Sequence, residues 1–147
     1  MSIERETFPA LLAAGNPLWA YKSSSYWIDI GTPAAFLKAS RDLVQGQFHS
    51  PVFATSPTMN YVHPDAHIGV NVQIDAGSSV GASQIGGDVL VEQSIIGDDV
   101  VVGSGAHICA SIIGDGVQIG DGAHLRGVVI AGAGVSVPPN SRQIGEI

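Results

Sequence analysis

The sequence predicts a mainly β fold, a parallel β-helix of about four coils preceded by a short α/β segment. Three observations predict it. From Val62 an aliphatic residue recurs every five or six positions, through Ile68, Ile74, Val80, Ile85 and Val91 and onward to Ile130. Two positions before each stands a small or slender residue, as at Ala66, Val72, Ser78, Ser83 and Ser94; Asn60 is the exception. Gly often follows the aliphatic residue, at Gly69, Gly81, Gly86, Gly97, Gly103, Gly114 and Gly120. A helix would repeat its apolar residues at three and four, and an amphipathic strand at two. A hexad instead fits a chain folded flat side by flat side around a triangular core.

Strand alternation supplies the geometry. Residues two apart in a strand share a face, so the aliphatic residue and its small partner point inward and the residue between them points out. The glycines mark corners, where left-handed dihedrals are expected. Three hexads make one coil: the steps from Val62 to Val80, Ile96, Ile113 and Ile130 are sixteen to eighteen residues. Stacked coils would place Ile96, Ile113 and Ile130 in one interior ladder and Val91, Ile108 and Leu125 in another, about 4.8 Å apart. This run of hexads resembles the hexapeptide-repeat family. The resemblance implies a left-handed winding, against the usual right-handed crossover.

Ahead of the coils, residues 2–15 read as a short helix, with Pro9 near its start and Gly15 as its stop. Residues 18–22 and 26–30 read as two strands around a Ser23–Ser25 turn. Thr32 is a good N-cap and Pro33 fits the first helical position, so a helix should run from Pro33 to about Gln45 and stop at Gly46. Residues 47–60 have no period and two prolines; they read as an extended crossing segment. The preceding helix is expected to cover the open end of the β-helix. After Ile130 the register slips, and Pro138 and Pro139 are expected to stop strand pairing, leaving a loose tail or interface arm. The expected organisation is therefore 1–46, 47–60, 61–137 and 138–147.

Residues 1–46 are too few to form a domain. Three pieces, Ser2-Ile-Glu-Arg-Glu-Thr-Phe-Pro9, Tyr26-Trp-Ile-Asp-Ile-Gly-Thr-Pro33 and the helix that follows, together resemble the closing part of a sugar-phosphate nucleotidyltransferase domain. The likeness is nearest to mannose-1-phosphate guanylyltransferases and the related glucose-1-phosphate enzymes. In many of these a left-handed β-helix follows directly, as here. The Gly-rich loop that cradles nucleotide phosphates in that family has no counterpart in this sequence, whose repeat glycines sit at hexad corners.

Composition bounds the remaining possibilities. Residues 1–60 are charge-balanced, and the whole net charge of −7 falls in residues 61–147, where Arg126 and Arg142 are the only Arg or Lys. Such a surface repels phosphate backbones, so nucleic acid is not an expected partner. No apolar run approaches a membrane span. The start lacks the basic-then-apolar layout of a signal peptide. One cysteine, Cys109, permits no internal disulfide. A cytoplasmic location is expected.

Asp29 is the leading candidate for chemistry. The resemblance implies that the Asp of the Trp-x-Asp-x-Gly-Thr stretch helps hold a catalytic Mg²⁺, which offsets charge while a sugar phosphate attacks the nucleotide's α-phosphate. One carboxylate without a nucleotide cradle is not expected to hold the ion, so no cofactor is expected for the isolated chain. There Asp29 would cap the turn before Thr32. Glu4 and Arg5 match a charged pair of the family near its sugar pocket, with no role assigned. His107 and His124 lie seventeen apart and both point outward, on neighbouring coils. In a hexapeptide acyltransferase such a His is the general base. The uninterrupted hexads offer no extended loop beside it. Cys109 follows an aliphatic position near a corner, and no reactive role is expected.

The expectation is a C-terminal assembly or regulatory region of a sugar-1-phosphate nucleotidyltransferase, homo-oligomeric through its β-helix. Nucleotide and sugar phosphate would bind only in the complete enzyme, and the isolated chain would be inactive. The alternatives are a hexapeptide-repeat acyltransferase using His107 or His124, and a non-catalytic β-helix scaffold.

Overall fold

The computed structural model describes residues 2–51 and 59–147. From Tyr61 the chain winds as a parallel β-helix with three flat sides, each a five-stranded parallel sheet. The first side stacks β1 (Tyr61–Val62), β4 (Ser79–Val80), β7 (Ile95–Ile96), β10 (Ile112–Ile113) and β13 (Val129–Ile130). The second stacks β2 (His67–Ile68), β5 (Gln84–Ile85), β8 (Val101–Val102), β11 (Gln118–Ile119) and β14 (Ser136–Val137). The third stacks β3 (Gln73–Ile74), β6 (Leu90–Glu92), β9 (His107–Cys109), β12 (His124–Arg126) and β15 (Arg142–Ile144). The architecture is consistent with the left-handed β-helix the resemblance implied.

The register follows the hexads. Ile96, Ile113 and Ile130 are paired on the first side, and Val91, Ile108 and Leu125 on the third. These ladders are the core: Val80, Val91, Ile96, Ile108, Ile113 and Leu125 are fully buried. Each such side chain contributes about 1.5–3 kcal/mol by leaving water. The inward serines do a second job. Ser94 Oγ accepts from Ser111 N–H at 3.0 Å and donates to Glu92 C=O at 2.7 Å, and Ser111 Oγ accepts from Val128 N–H at 3.2 Å. Each hydroxyl thus satisfies corner backbone that the ladder leaves unpaired.

The corners use glycine for a reason other than the expected one. The glycines after the aliphatic residue do not have positive φ. They are small because the next rung lies against them: a Cβ on Gly103 would fall 2.5 Å from Asp121 N, and one on Gly69 2.7 Å from Gly86 C. The left-handed residue comes instead three positions before the inward aliphatic one, at Asp88, Gln93, Asp99, Gly105 and Ala110 among others.

The stack has five rungs, one more than the four coils anticipated, and residues 138–147 are not a loose tail. Pro138 and Pro139 occupy a corner, with Pro139 against Gly120, and the chain returns to pair β15 with β12. Proline at a corner removes no ladder hydrogen bond, so pairing resumes after it. On this last rung the inward position is Gln143, opposite Leu125. A polar residue there faces the apolar ladder's open end.

Before the β-helix, a wide helical turn over Ile3–Thr7 runs into α1 (Phe8–Ala13). Residues 18–22 and 26–30 are irregular, not the two strands expected. A strand needs a hydrogen-bonding neighbour, and among the described residues none runs beside them. Helix α2 (Pro33–Val44) begins as anticipated, with Thr32 Oγ1 accepting from Ala35 N–H at 3.2 Å, and Gly46 has the left-handed φ of a stop. It lies against the flank of the β-helix and not on its open end. Ser40 Oγ is 3.4 Å from Ser79 Oγ, and Arg41 packs over Gly77. The first rung is accordingly less covered, and Ile68 is 41% exposed. Of the crossing segment over 47–60, residues 52–58 lie outside the described residues; Phe48 stacks on Tyr26 with ring centroids 4.5 Å apart.

Candidate functional site

Asp29 lies in the exposed irregular stretch before α2. Its Oδ1 accepts from Gly31 N–H at 3.0 Å, which closes an Asx turn two residues long. That turn aims the chain into the Thr32 cap. No set of three His, Cys, Asp or Glu that could hold a metal gathers among the described residues. The residues described here therefore do not by themselves fit a Mg²⁺ site, which wants several oxygen ligands in near-octahedral array.

Beside Asp29 the chain is anchored through Asp42, a buried carboxylate on α2. Its Oδ2 accepts from the Lys38 ammonium and from the Tyr26 hydroxyl, the latter at 2.8 Å. The Lys38 hydrogen bond, followed by that from Tyr26, holds the Asp42 carboxyl below the usual carboxylate range against the opposing effect of burial. The same hydrogen bond raises Lys38. Burial, then Asp42, raises the Tyr26 phenol. This cluster fastens an otherwise exposed segment to the helix.

His107 and His124 come together as the spacing required. They pair across β9 and β12, and their rings meet edge to face with centroids 5.9 Å apart. Around them the third side forms a groove of about 380 Å³. Two outward columns line it. One runs His107, His124, Arg142; the other runs Glu92, Cys109, Arg126, Ile144. Glu92 Oε2 lies 2.5 Å from His107 Nε2. That nitrogen is therefore engaged, as a free acyltransferase base would not be. Burial, then the charge of Glu92, pushes the Cys109 thiol up, which disfavours the thiolate a nucleophile needs.

Sequence reasoning assigns no site role to Glu92, Arg126 or Arg142. The signal that finds them is the coil period applied to outward positions. Residues 92, 109 and 126 are seventeen apart, and 144 follows eighteen later. His67, also outward, sits on β2 of the second side and takes no part.

A family model described as the GMPPB C-terminal domain matches residues 57–143. The mannose-1-phosphate guanylyltransferase of Mycobacterium tuberculosis is 39% identical over 110 residues, 74% of this chain and 31% of that protein. The valienol-1-phosphate guanylyltransferase of Streptomyces hygroscopicus subsp. limoneus is 32% identical over 104 residues, 69% of this chain and 26% of that one. A glucose-1-phosphate adenylyltransferase of Clostridium kluyveri is 27% identical over 111 residues, 71% and 27% of the two chains. The chain spans between a quarter and a third of the length of these relatives.

Proposed function

The chain belongs to the GMPPB C-terminal domain family, and on that premise we propose that it is the C-terminal assembly and regulatory region of a sugar-1-phosphate nucleotidyltransferase. The reaction would be that of a mannose-1-phosphate guanylyltransferase: nucleoside triphosphate and sugar 1-phosphate give nucleoside diphosphate sugar and pyrophosphate. One observation carries the reading. The central rungs of the β-helix bury their own core, whereas the segment before α2 leaves Trp19 93%, Tyr21 95% and Trp27 82% exposed. Aromatic side chains in such density belong against another apolar surface. An α/β nucleotidyltransferase body supplies one, with residues 1–46 as its closing part.

In that complete enzyme Asp29 contributes one carboxylate to Mg²⁺, and the nucleotide and sugar phosphate bind to the body. The β-helix joins subunits into a homo-oligomer, using flat sides of the kind that suit symmetric association. A cytoplasmic location goes with this reading. No described helix is long and apolar enough to cross a membrane.

An antibody raised to this chain tests the reading by blotting extracts of its own cells. A band well above the 15.1 kDa of these residues is expected, and a band at 15.1 kDa would overturn it. The purified chain should release no pyrophosphate from nucleoside triphosphate and sugar 1-phosphate.

A further inference from the structure

We propose that the groove on the third flat side binds the phosphate group of a small phosphate monoester, at a site separate from any nucleotidyl transfer. The inference stands on the groove alone and does not depend on the nucleotidyltransferase reading.

Charge is the first observation. Arg126 and Arg142 are the only Arg or Lys in residues 61–147, against a net charge of −7, and both line this one groove. They sit on adjacent strands, with His124 in register with Arg142 and two residues from Arg126 on the same strand. Side chains so related on one face of a sheet lie within about 8 Å of each other at their bases, close enough to converge on one anion. Neither arginine is spent elsewhere. Among the described residues neither makes an ion pair or a side-chain hydrogen bond, and the neighbouring acid, Glu92, is engaged by His107. Two unpaired guanidiniums gathered on an acidic solenoid repel each other unless an anion joins them. The planar fork of arginine matches phosphate oxygens, two at a time.

Shape and lining are the second observation. About 380 Å³ is within the range of small-molecule sites, roughly 300–1,000 Å³. Ile144, 85% exposed, gives the groove an apolar wall beside the cationic end. A phosphate bearing a small organic body uses both, the phosphate at the arginines and the body against Ile144. A nucleic acid would meet Asp121 at one bordering corner and the net charge of −7 spread over residues 61–147.

The test is a titration of the 147-residue chain followed by the imidazole proton NMR signals of its five histidines. The probes are glycerol 3-phosphate, inorganic phosphate, glycerol, and chloride at matched ionic strength. Glycerol 3-phosphate should move the His107 and His124 signals saturably at millimolar concentration and bind more tightly than inorganic phosphate. Glycerol and chloride should not move them saturably. Arg126→Gln and Arg142→Gln should each weaken binding roughly tenfold or more, the loss of one charge-assisted pair. Unmoved His63 and His67 signals report that the β-helix is intact in each variant. Because Arg142 lies on the last strand, Arg126→Gln on the doubly paired β12 decides the matter if the edge frays. No saturable shift, an equal shift with chloride, or undiminished affinity in Arg126→Gln would overturn the proposal. Inorganic phosphate binding as tightly as the ester would overturn the assignment to a monoester.

Discussion

Gly103 and Ala110 show how differently neighbouring corner positions are constrained. At Gly103 a methyl group would meet Asp121 N of the next rung at 2.5 Å, against backbone that cannot step aside. Gly103→Ala is therefore expected to destabilise the chain by about 1–3 kcal/mol, the usual cost of overpacking. Ala110 has the opposite problem, a φ of 46° that a side chain resists. Ala110→Gly should stabilise by about 1 kcal/mol. Urea midpoints of the two variants check both signs at once. The positions of the glycines were legible in the sequence, but their reason was not. A glycine wanted for left-handed backbone and one wanted for close approach look alike until the next rung is placed beside them.

The element most dependent on a single polar cluster is α2. Lys38, Asp42 and Tyr26 tie its lower half to the irregular segment. The Asp42 carboxyl titrates lower in the folded chain than in the unfolded one. Its contribution is therefore complete above the unfolded value, about 3.9, and is lost as pH falls through the lower folded value. Asp42→Asn should lower stability at neutral pH and flatten the acid limb, so that the two proteins converge as pH falls through the lower folded value. Denaturant unfolding of both across that range measures it; parallel acid limbs would refute the assignment. The ends of α2 were legible because Thr32, Pro33 and Gly46 are local signals. The strands expected over 18–22 and 26–30 were not realised, because a strand exists only with a partner that local sequence cannot supply. Where α2 lies was also decided by packing, through Ser79 and Gly77 on the flank.

As a whole the molecule is a one-dimensional stack, in which each rung is held by the rungs above and below. The central rungs, built on Ile96, Val102 and Ile108, are fully flanked and buried, whereas Ile68 on the first rung and Gln143 on the last are not. Amide hydrogen exchange should therefore be slowest at β7 to β10 and fastest at β1 to β3 and β15. Uniform protection across the rungs would show that the stack opens as one unit. The groove on the third side lies at the C-terminal end of this gradient, where the last two rungs present Arg126 and Arg142. Ligand binding there should slow exchange at β15 in particular, by joining it to β12.

The coil period, the inward ladders, the outward stacking of His107 on His124 and the ends of α2 are all written in the chain itself. All of these follow from local rules, namely strand alternation, a repeat near seventeen residues and capping. Tertiary structure alone decided that the chain pairs again beyond Pro138 and Pro139, that α2 rests on a flank, and that Glu92 engages His107. It also brought Arg126 and Arg142, sixteen residues apart, to one groove. These depend on which side chains meet across rungs and on what a corner can absorb, and both are properties of the closed stack and not of any stretch within it.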